Sequence, residues 1–380
     1  MGFLDKVKDA FGKMSGRGQT DSVIGIDIGS SSVKVVQLKR HGGKAILETY
    51  GELACGPYDN RAIGQAANLS PEAISRLLAD LFREANVTAK NAAISIPLRS
   101  SLLKTIDLPE VSATQLATVI PIEARKYIPV PINEVTLDWS VLPKQAMREA
   151  DAAAATDPNS TRSVARPTIE ALIVAIHNDI LNQYTDISNR AQLETKFFEI
   201  ETFSAIRAVF SGELVPVVIV DIGAGSTKVA IIDYGVVRLS HTINKGSQDI
   251  SVAISRSLNV DFAKAEEIKR RVGLVEHVDG AEVSSTISSI VEYIFAEVNR
   301  VLVDYQRKEK RAVSKVVLIG SGALLRGVGD IAKKTFSVPV VMGNGFSKVE
   351  TPAFLTDMLA EVGPAFAVST GLALRHLQEL

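Results

Sequence analysis

The chain has 380 residues, 46% hydrophobic and 22% charged, with a net charge of −1. That length supports two to four subdomains with large cores, and the near-neutral balance gives no strong whole-protein field toward nucleic acid or an anionic membrane. One cysteine (Cys55) and five scattered histidines exclude an internal disulfide and a metal site of thiolate or imidazole spacing. No apolar run reaches the length of a membrane span and the first residues do not read as a secretion signal, so a cytoplasmic protein is expected.

In chain order, residues 1–14 place Phe3, Leu4, Val7, Phe11 and Met14 at helical spacing, with Lys6, Lys8 and Lys13 off that face. This predicts a short amphipathic helix, either a frayed tail or a segment that meets a membrane surface or a partner. Residues 15–22 read as a linker. Strands are predicted over 23–27, 33–38 and 44–53, with turns at 29–32 and 41–43. Residues 71–85 have helical periodicity, with Ser70 as N-cap and Pro71 in the first helical position. Strands at 91–96 and 102–108, a helix at 112–127 and a strand at 134–142 follow. Residues 145–166 hold few large apolar groups and read as a surface loop. A strand at 169–176 and a helix at 179–191 close the first half. The second half opens with strands at 215–221 and 227–233 around a turn at 223–226. Helices at 249–258, 261–271 and 285–308, a buried strand at 316–319, a glycine-rich turn at 320–327 and a terminal helix at 371–380 complete an α/β chain.

The chain repeats itself. Asp27–Val35 and Asp221–Val229 read DIGSSSVKV and DIGAGSTKV, identical at six of nine positions. Each copy follows one apolar strand and leads into another. Glycine lets the backbone approach an anion, and successive N–H groups in a tight turn form an anion-binding concavity. Two such tips, Gly29, Ser30, Ser31 and Ser32 facing Gly223, Ala224, Gly225, Ser226 and Thr227, would clamp a polyphosphate. Asp27 and Asp221 would hold hydrated Mg²⁺ through water, and Lys34 would reach a phosphate as a point charge. A plain pair of glycine hairpins is the bland alternative, made weaker by the matched lysines Lys34 and Lys228. Downstream, Gly320, Ser321 and Gly322 form a turn after a buried strand, where backbone can lie against an adenine or a phosphate. Glu266 and Lys269 share a face of one predicted helix. They are either a surface ion pair or a grip on ribose and adenine.

These four elements, in this order, resemble the actin, sugar-kinase and heat-shock-chaperone ATPase superfamily. Within it the chain is similar to the PilM family of type IV pilus assembly ATPases, related to the division protein FtsA. The closer likeness rests on residues 122–135 (IEARKYIPVPINEV), on 23–36, and on 362–367 leading into 371–375. The resemblance implies an actin-like ATPase fold: duplicated ribonuclease H-like domains, with an inserted 1C (SHS2) subdomain in place of actin 1B. It divides the chain into an N-terminal segment and linker (1–22), a first part of 1A (23–96), 1C (97–195) and a return to 1A (196–214). Domain 2 (215–360, with 2B near 260–310) and a last 1A helix (361–380) follow. It adds Gly246 and Leu325 to the nucleotide-binding set. It implies ATP and Mg²⁺ as ligands and, as partner, the N-terminal cytoplasmic peptide of the membrane protein PilN, held in a groove between 1A and 1C. Recruitment to the inner membrane face of a pilus or related secretion machine, indirect or weak membrane association and self-association are further expectations. The loop at 145–166 and the long N-terminal stretch depart from the family pattern.

Hydrolysis needs a group that orients water. Asp221, through the metal, and Glu123 or Gln115 are the candidates, and slow Mg-dependent turnover at most is expected. Two other functions compete. A sugar or acetate kinase would need a polar acceptor pocket, whereas residues 104–142 are rich in Ile, Val and Pro. A filament-forming protein like FtsA or MreB would polymerise with ATP.

Overall fold

The computed structural model describes residues 22–142, 168–274 and 281–379. The expected amphipathic helix at 1–14 and the loop at 145–166 lie outside them. The described residues fall into two compact units, a smaller one of residues 100–181 and a larger one made of the rest.

The larger unit starts with β1 (Ser22–Ile28), β2 (Ser32–His41) and β3 (Lys44–Ala54), an antiparallel meander, and β4 (Asn91–Ile96) lies parallel to β1. Strand β1 buries Val23, Ile24 and Ile26 completely, as a central strand covered on both faces must. Ser22, expected in a linker, is the first residue of β1 and pairs with Lys39. The helix Pro71–Glu84 begins as its sequence predicts, with Ser70 Oγ accepting from Ala73 N–H at 3.2 Å.

The chain then forms the smaller unit. It holds β5 (Ser101–Pro109), the helix Ala113–Ala124, β6 (Val135–Val141) and β7 (Thr168–His177), the strands joined antiparallel in the order β5-β7-β6. Ile106, Leu108, Leu116, Ile120 and Ile173 form its core. After the helix Asn178–Arg190, strand β8 (Glu194–Ile200) joins the first sheet beside β4, giving the order β3-β2-β1-β4-β8. Residues 196–214, read in sequence only as a return of the chain, supply most of β8 and the helix Glu201–Val209. Charges at Glu194, Lys196 and Glu199 mask this strand's apolar pattern.

The second half repeats the first. Strands β9 (Val217–Ile222), β10 (Thr227–Asp233), β11 (Val236–Ile243), β12 (Lys315–Ile319) and β13 (Val340–Met342) pair in the order β11-β10-β9-β12-β13. Both sheets run antiparallel over the three strands of the meander and parallel over the remaining two. Strand β11 was not legible, because half-buried polar residues interrupt its apolar run. Strand β9 begins at Val217 rather than 215, since Pro216 has no N–H to give and serves by accepting from Ser314 N–H at 2.8 Å. The helices Ser247–Leu258, Phe262–Val272 and Ala281–Glu309 cover this sheet around Phe295, Ile287 and Ile254. The last helix, Ala367–Glu379, starts four residues earlier than the sequence suggested. It lies so close to β1 that a Cβ at Gly25 would collide with Ser369 O. Among the described residues no helix is long and apolar enough to cross a membrane.

Candidate functional site

The two repeated hairpin tips have the same internal bond. Gly29 N–H donates to Ser32 O at 3.0 Å, and Gly223 N–H donates to Ser226 O at 3.0 Å. In both, the chain closes a tight bend between two antiparallel strands. A Cβ at Gly225 would lie 3.7 Å from Ser30 Oγ, so the tips face each other within van der Waals reach. A third loop completes the wall. At the end of β12, Gly320 takes φ +85°, and its N–H donates to Pro364 O at 2.8 Å. A side chain there would collide with Asp221 Oδ1, and one at Gly322 would collide with the Ile222 side chain. Glycine at 320 is therefore required twice, by the left-handed backbone and by the carboxylate against it.

Asp27, Gly29, Ser30, Ser31, Ser32, Lys34, Asp221, Gly223, Ala224, Gly225, Ser226, Gly320 and Ser321 line one cavity. Its volume is about 70 Å³, well below the several hundred that small-molecule sites usually show. A ligand of ordinary small-molecule size fits there only if the tips separate. Thr227, Gly246, Gly322 and Leu325 are not among the residues that line it. Thr227 Oγ1 donates to Lys245 O at 2.9 Å. Gly246 begins the helix Ser247–Leu258, whose first N–H groups donate to Gly223 O and Ala224 O at 2.9 Å each. That helix end braces the second tip rather than pointing at an anion.

Glu266 and Lys269 do share a helix face, but as a buried pair at 2.7 Å rather than an open grip. Glu266 also accepts from Ser251 Oγ at 2.6 Å and Arg270 Nε at 2.8 Å, and Lys269 Nζ donates to Ser247 O at 3.1 Å. Against the upward push of burial, Lys269, Ser251 and Arg270 hold the Glu266 carboxyl below its usual range. The carboxylate packs on Gly64, where any Cβ would meet it at 2.6 Å. Gly64 belongs to a connection between β3 and the helix Pro71–Glu84. Ala67 N–H in that connection donates to Ser30 O at 2.8 Å, and Ala66 N–H to Gln248 Oε1 at 2.5 Å. The connection thus straps the first tip to the helices of the second half. Glu123 and Gln115, candidates for orienting water, lie on the helix Ala113–Ala124 of the smaller unit. Glu123 accepts from Lys126 at 2.6 Å, and Gln115 closes a capping box with Ser112.

Electrostatics organise the rest. Asp27 accepts from Ser95 Oγ at 2.9 Å. Burial pushes its carboxyl up to about 6, although Lys34 draws it down. Lys34 donates to Ser32 Oγ at 2.8 Å and pairs with Glu52 at 3.2 Å. Lys228, the counterpart of Lys34 in the repeat, bridges Glu201 at 3.0 Å and Asp221 at 3.4 Å. Burial would lower this ammonium's pKa, but Asp221 and then Glu201 outweigh it and raise it. The other Glu201 oxygen accepts from Leu98 N–H at 2.8 Å. Lys228 and Glu201 were missing from the residues expected at the site. The repeat signals Lys228. Nothing in the sequence signals Glu201, which owes its place to the first turn of a helix the sequence did not reveal.

Asp27, Glu201 and Asp221 against Lys34 and Lys228 leave the cavity lining with a net negative charge. A polyanion alone would be repelled there, and a divalent cation bound with it would reverse the balance. The donor set is all oxygen, which suits Mg²⁺, and the serine hydroxyls with the turn backbone suit phosphate oxygens. Cys55, buried behind the first tip 3.7 Å from Gly29 O, has its thiol pushed up to about 12 by burial and packs as a small apolar side chain.

Comparison with known proteins agrees with the fold. The profile of the family "Type IV pilus assembly protein PilM" matches residues 25–377. A solved structure titled "PilM-PilN type IV pilus biogenesis complex" superposes with TM-score 0.76 at 23% identity, covering 93% of this chain and 98% of that one. MreB5 of Spiroplasma citri bound to AMPPNP superposes with TM-score 0.51 at 14% identity, covering 95% and 98%. The cell division protein FtsA of Streptococcus pneumoniae serotype 2 is 23% identical over an alignment of 347 residues that covers 83% of this chain and 74% of FtsA.

Proposed function

The chain belongs to the type IV pilus assembly protein PilM family, and from that premise we propose that it is a Mg-ATP-dependent scaffold of the pilus assembly complex at the inner membrane. The carrying observation is the pair of matching tips, Gly29–Ser32 and Gly223–Ser226, opposed across one cavity. In this reading the tip N–H groups and the hydroxyls of Ser30, Ser31, Ser226 and Ser321 bind the triphosphate. Asp27 and Asp221 hold Mg²⁺ through water, which supplies the charge balance the site lacks. Lys34 and Lys228 stay on their carboxylates and tune the field. Lys228 occupies both Asp221 and Glu201, so neither is a free base, and turnover is slow. Binding, and with it separation of the tips, is the output.

A PilN N-terminal peptide, as in the complex named for that pair, is the proposed partner. In the smaller unit, Ile122 and Tyr127 stand exposed at 56% and 42%, a surface suited to apolar peptide side chains. The test is thermal melting with and without MgATP. The wild type melts several degrees higher with the ligand, and the Asp27→Asn, Asp221→Asn double variant does not respond. A wild-type chain indifferent to MgATP overturns the reading. Titration calorimetry with the peptide separates a scaffold from a filament former, which would instead scatter light on adding ATP.

A further inference from the structure

The two repeats place their matched lysines differently. In the first, Lys34 of β2 stands opposite Asp27 of β1 on one side and Glu52 of β3 on the other. In the second, Lys228 of β10 stands opposite Asp221 of β9, and the matching position on β11 is Thr242. Residues opposite one another in adjacent strands share a face of the sheet, so each lysine can reach either neighbour. Lys34 takes the outer one. Its ammonium lies 3.2 Å from Glu52 and 2.8 Å from Ser32 Oγ, and Asp27 is left to Ser95. Threonine offers Lys228 no charge. Its ammonium turns to the inner strand, 3.4 Å from Asp221, and reaches Glu201 at 3.0 Å.

Lys228, Asp221 and Glu201 all line the cavity between the tips. Without the lysine, these two carboxylates would form a doubly negative, all-oxygen site suited to a hydrated divalent cation. The ammonium fixed between them cancels one charge and repels a second cation at short range. A metal that arrives with a triphosphate meets different terms. The phosphate oxygens supply its ligands, and their negative charge is attracted by the same ammonium. A fixed repulsive element of this kind favours one ligand by penalising its competitor.

We propose, on the basis of the Mg-ATP reading of this cleft, that Lys228 is a tethered cation that bars a free divalent ion and admits Mg²⁺ only together with the nucleotide. The refusal of bare metal thus rests on one side chain. Thr242, by giving Lys228 no outer partner, keeps that side chain in place.

Electron paramagnetic resonance of Mn²⁺ tests this on the full chain without nucleotide, with Mn²⁺ as the probe, because the signal of the free ion falls as protein takes it up. Wild type is expected to leave the signal almost unchanged. Lys228→Gln is expected to bind the ion more tightly by roughly tenfold or more. Thr242→Glu offers Lys228 the kind of partner that Lys34 has in Glu52, and is expected to move affinity the same way. Adding Asp221→Asn to either variant is expected to remove the gain, which places the ion at this carboxylate. Both single variants are expected to keep the MgATP melting shift, which shows them folded. A wild type that takes up Mn²⁺ as readily as Lys228→Gln overturns the proposal, and so does a gain that survives Asp221→Asn. Absence of any MgATP shift in wild type is a separate failure, that of the nucleotide reading itself.

Discussion

Asp27 carries a cost that comes from its burial. A carboxylate whose pKa rises from 3.8 to about 6 on folding holds a proton more tightly folded than unfolded between those values. Stability of the metal-free protein therefore falls as pH climbs from about 4 to 6, and the full penalty stands above 6. Its size is about 3 kcal/mol, from roughly two pKa units at 1.36 kcal/mol each. Asp27→Asn removes the charge and keeps a group that can meet Ser95. The variant is expected to be more stable than wild type by about 2 kcal/mol at pH 8, with little difference at pH 4. Urea unfolding at the two pH values reads this directly, and a variant no more stable at pH 8 contradicts it. Gly320 gives the opposite case. Gly320→Ala forces a Cβ onto Asp221 at a left-handed φ, and a loss of about 2–4 kcal/mol is expected in the same assay.

At the scale of elements, the connection between β3 and the helix Pro71–Glu84 ties the cleft shut. It touches the first tip through Ser30 O and the second half through Gln248 and Glu266. If the cleft binds ATP as proposed and release opens the strap, the Ala66–Gln248 bond breaks with it, so Gln248→Ala is expected to speed dissociation of a fluorescent ATP analogue about fivefold, for a bond worth about 1 kcal/mol. Stopped-flow displacement measures it, and an unchanged rate would show that the strap does not gate release. None of this was legible beforehand. The strap reads as an ordinary polar loop, and its partner lies 182 residues away. What was legible is local or repeated: the Ser70 cap, the two DIG tips, and through them a duplicated sheet. Glu266 and Lys269 were placed correctly on one helix face. Only tertiary packing could show that Gly64 covers Glu266. Glu201 escaped notice because a lone acid at a helix start has no pattern to read.

At the scale of the larger unit, the last helix joins the two repeats. Ala367–Glu379 packs on β1 at Gly25 and on the helix Glu201–Val209 at Gly371, where a Cβ would collide with Ser204 O. Ahead of it, Pro364 O accepts from Gly320 N–H of the second half. Glu199 is clamped by Arg207 at 2.7 Å and by Arg375 at 2.8 Å, and Ser204 Oγ donates to it at 2.5 Å. That cluster is buried, so removing one cation costs more than a surface pair would. Arg207 holds Glu199 below the usual carboxylate range against the effect of burial. Ala367, Val368 and Leu372 of the same helix share a core with Val217, Ile219 and Ile319 of the second sheet, so both halves depend on one helix seated without room for a side chain at 371. Gly371→Val is expected to lift that helix and uncouple the sheets, so urea unfolding passes from one transition to two and MgATP stabilises neither. Arg375→Ala, which weakens the clamp but leaves the seat, is expected to keep a single transition at a lower midpoint, by about 3 kcal/mol. If Gly371→Val still unfolds in one step, the two repeats are held together by something other than this helix.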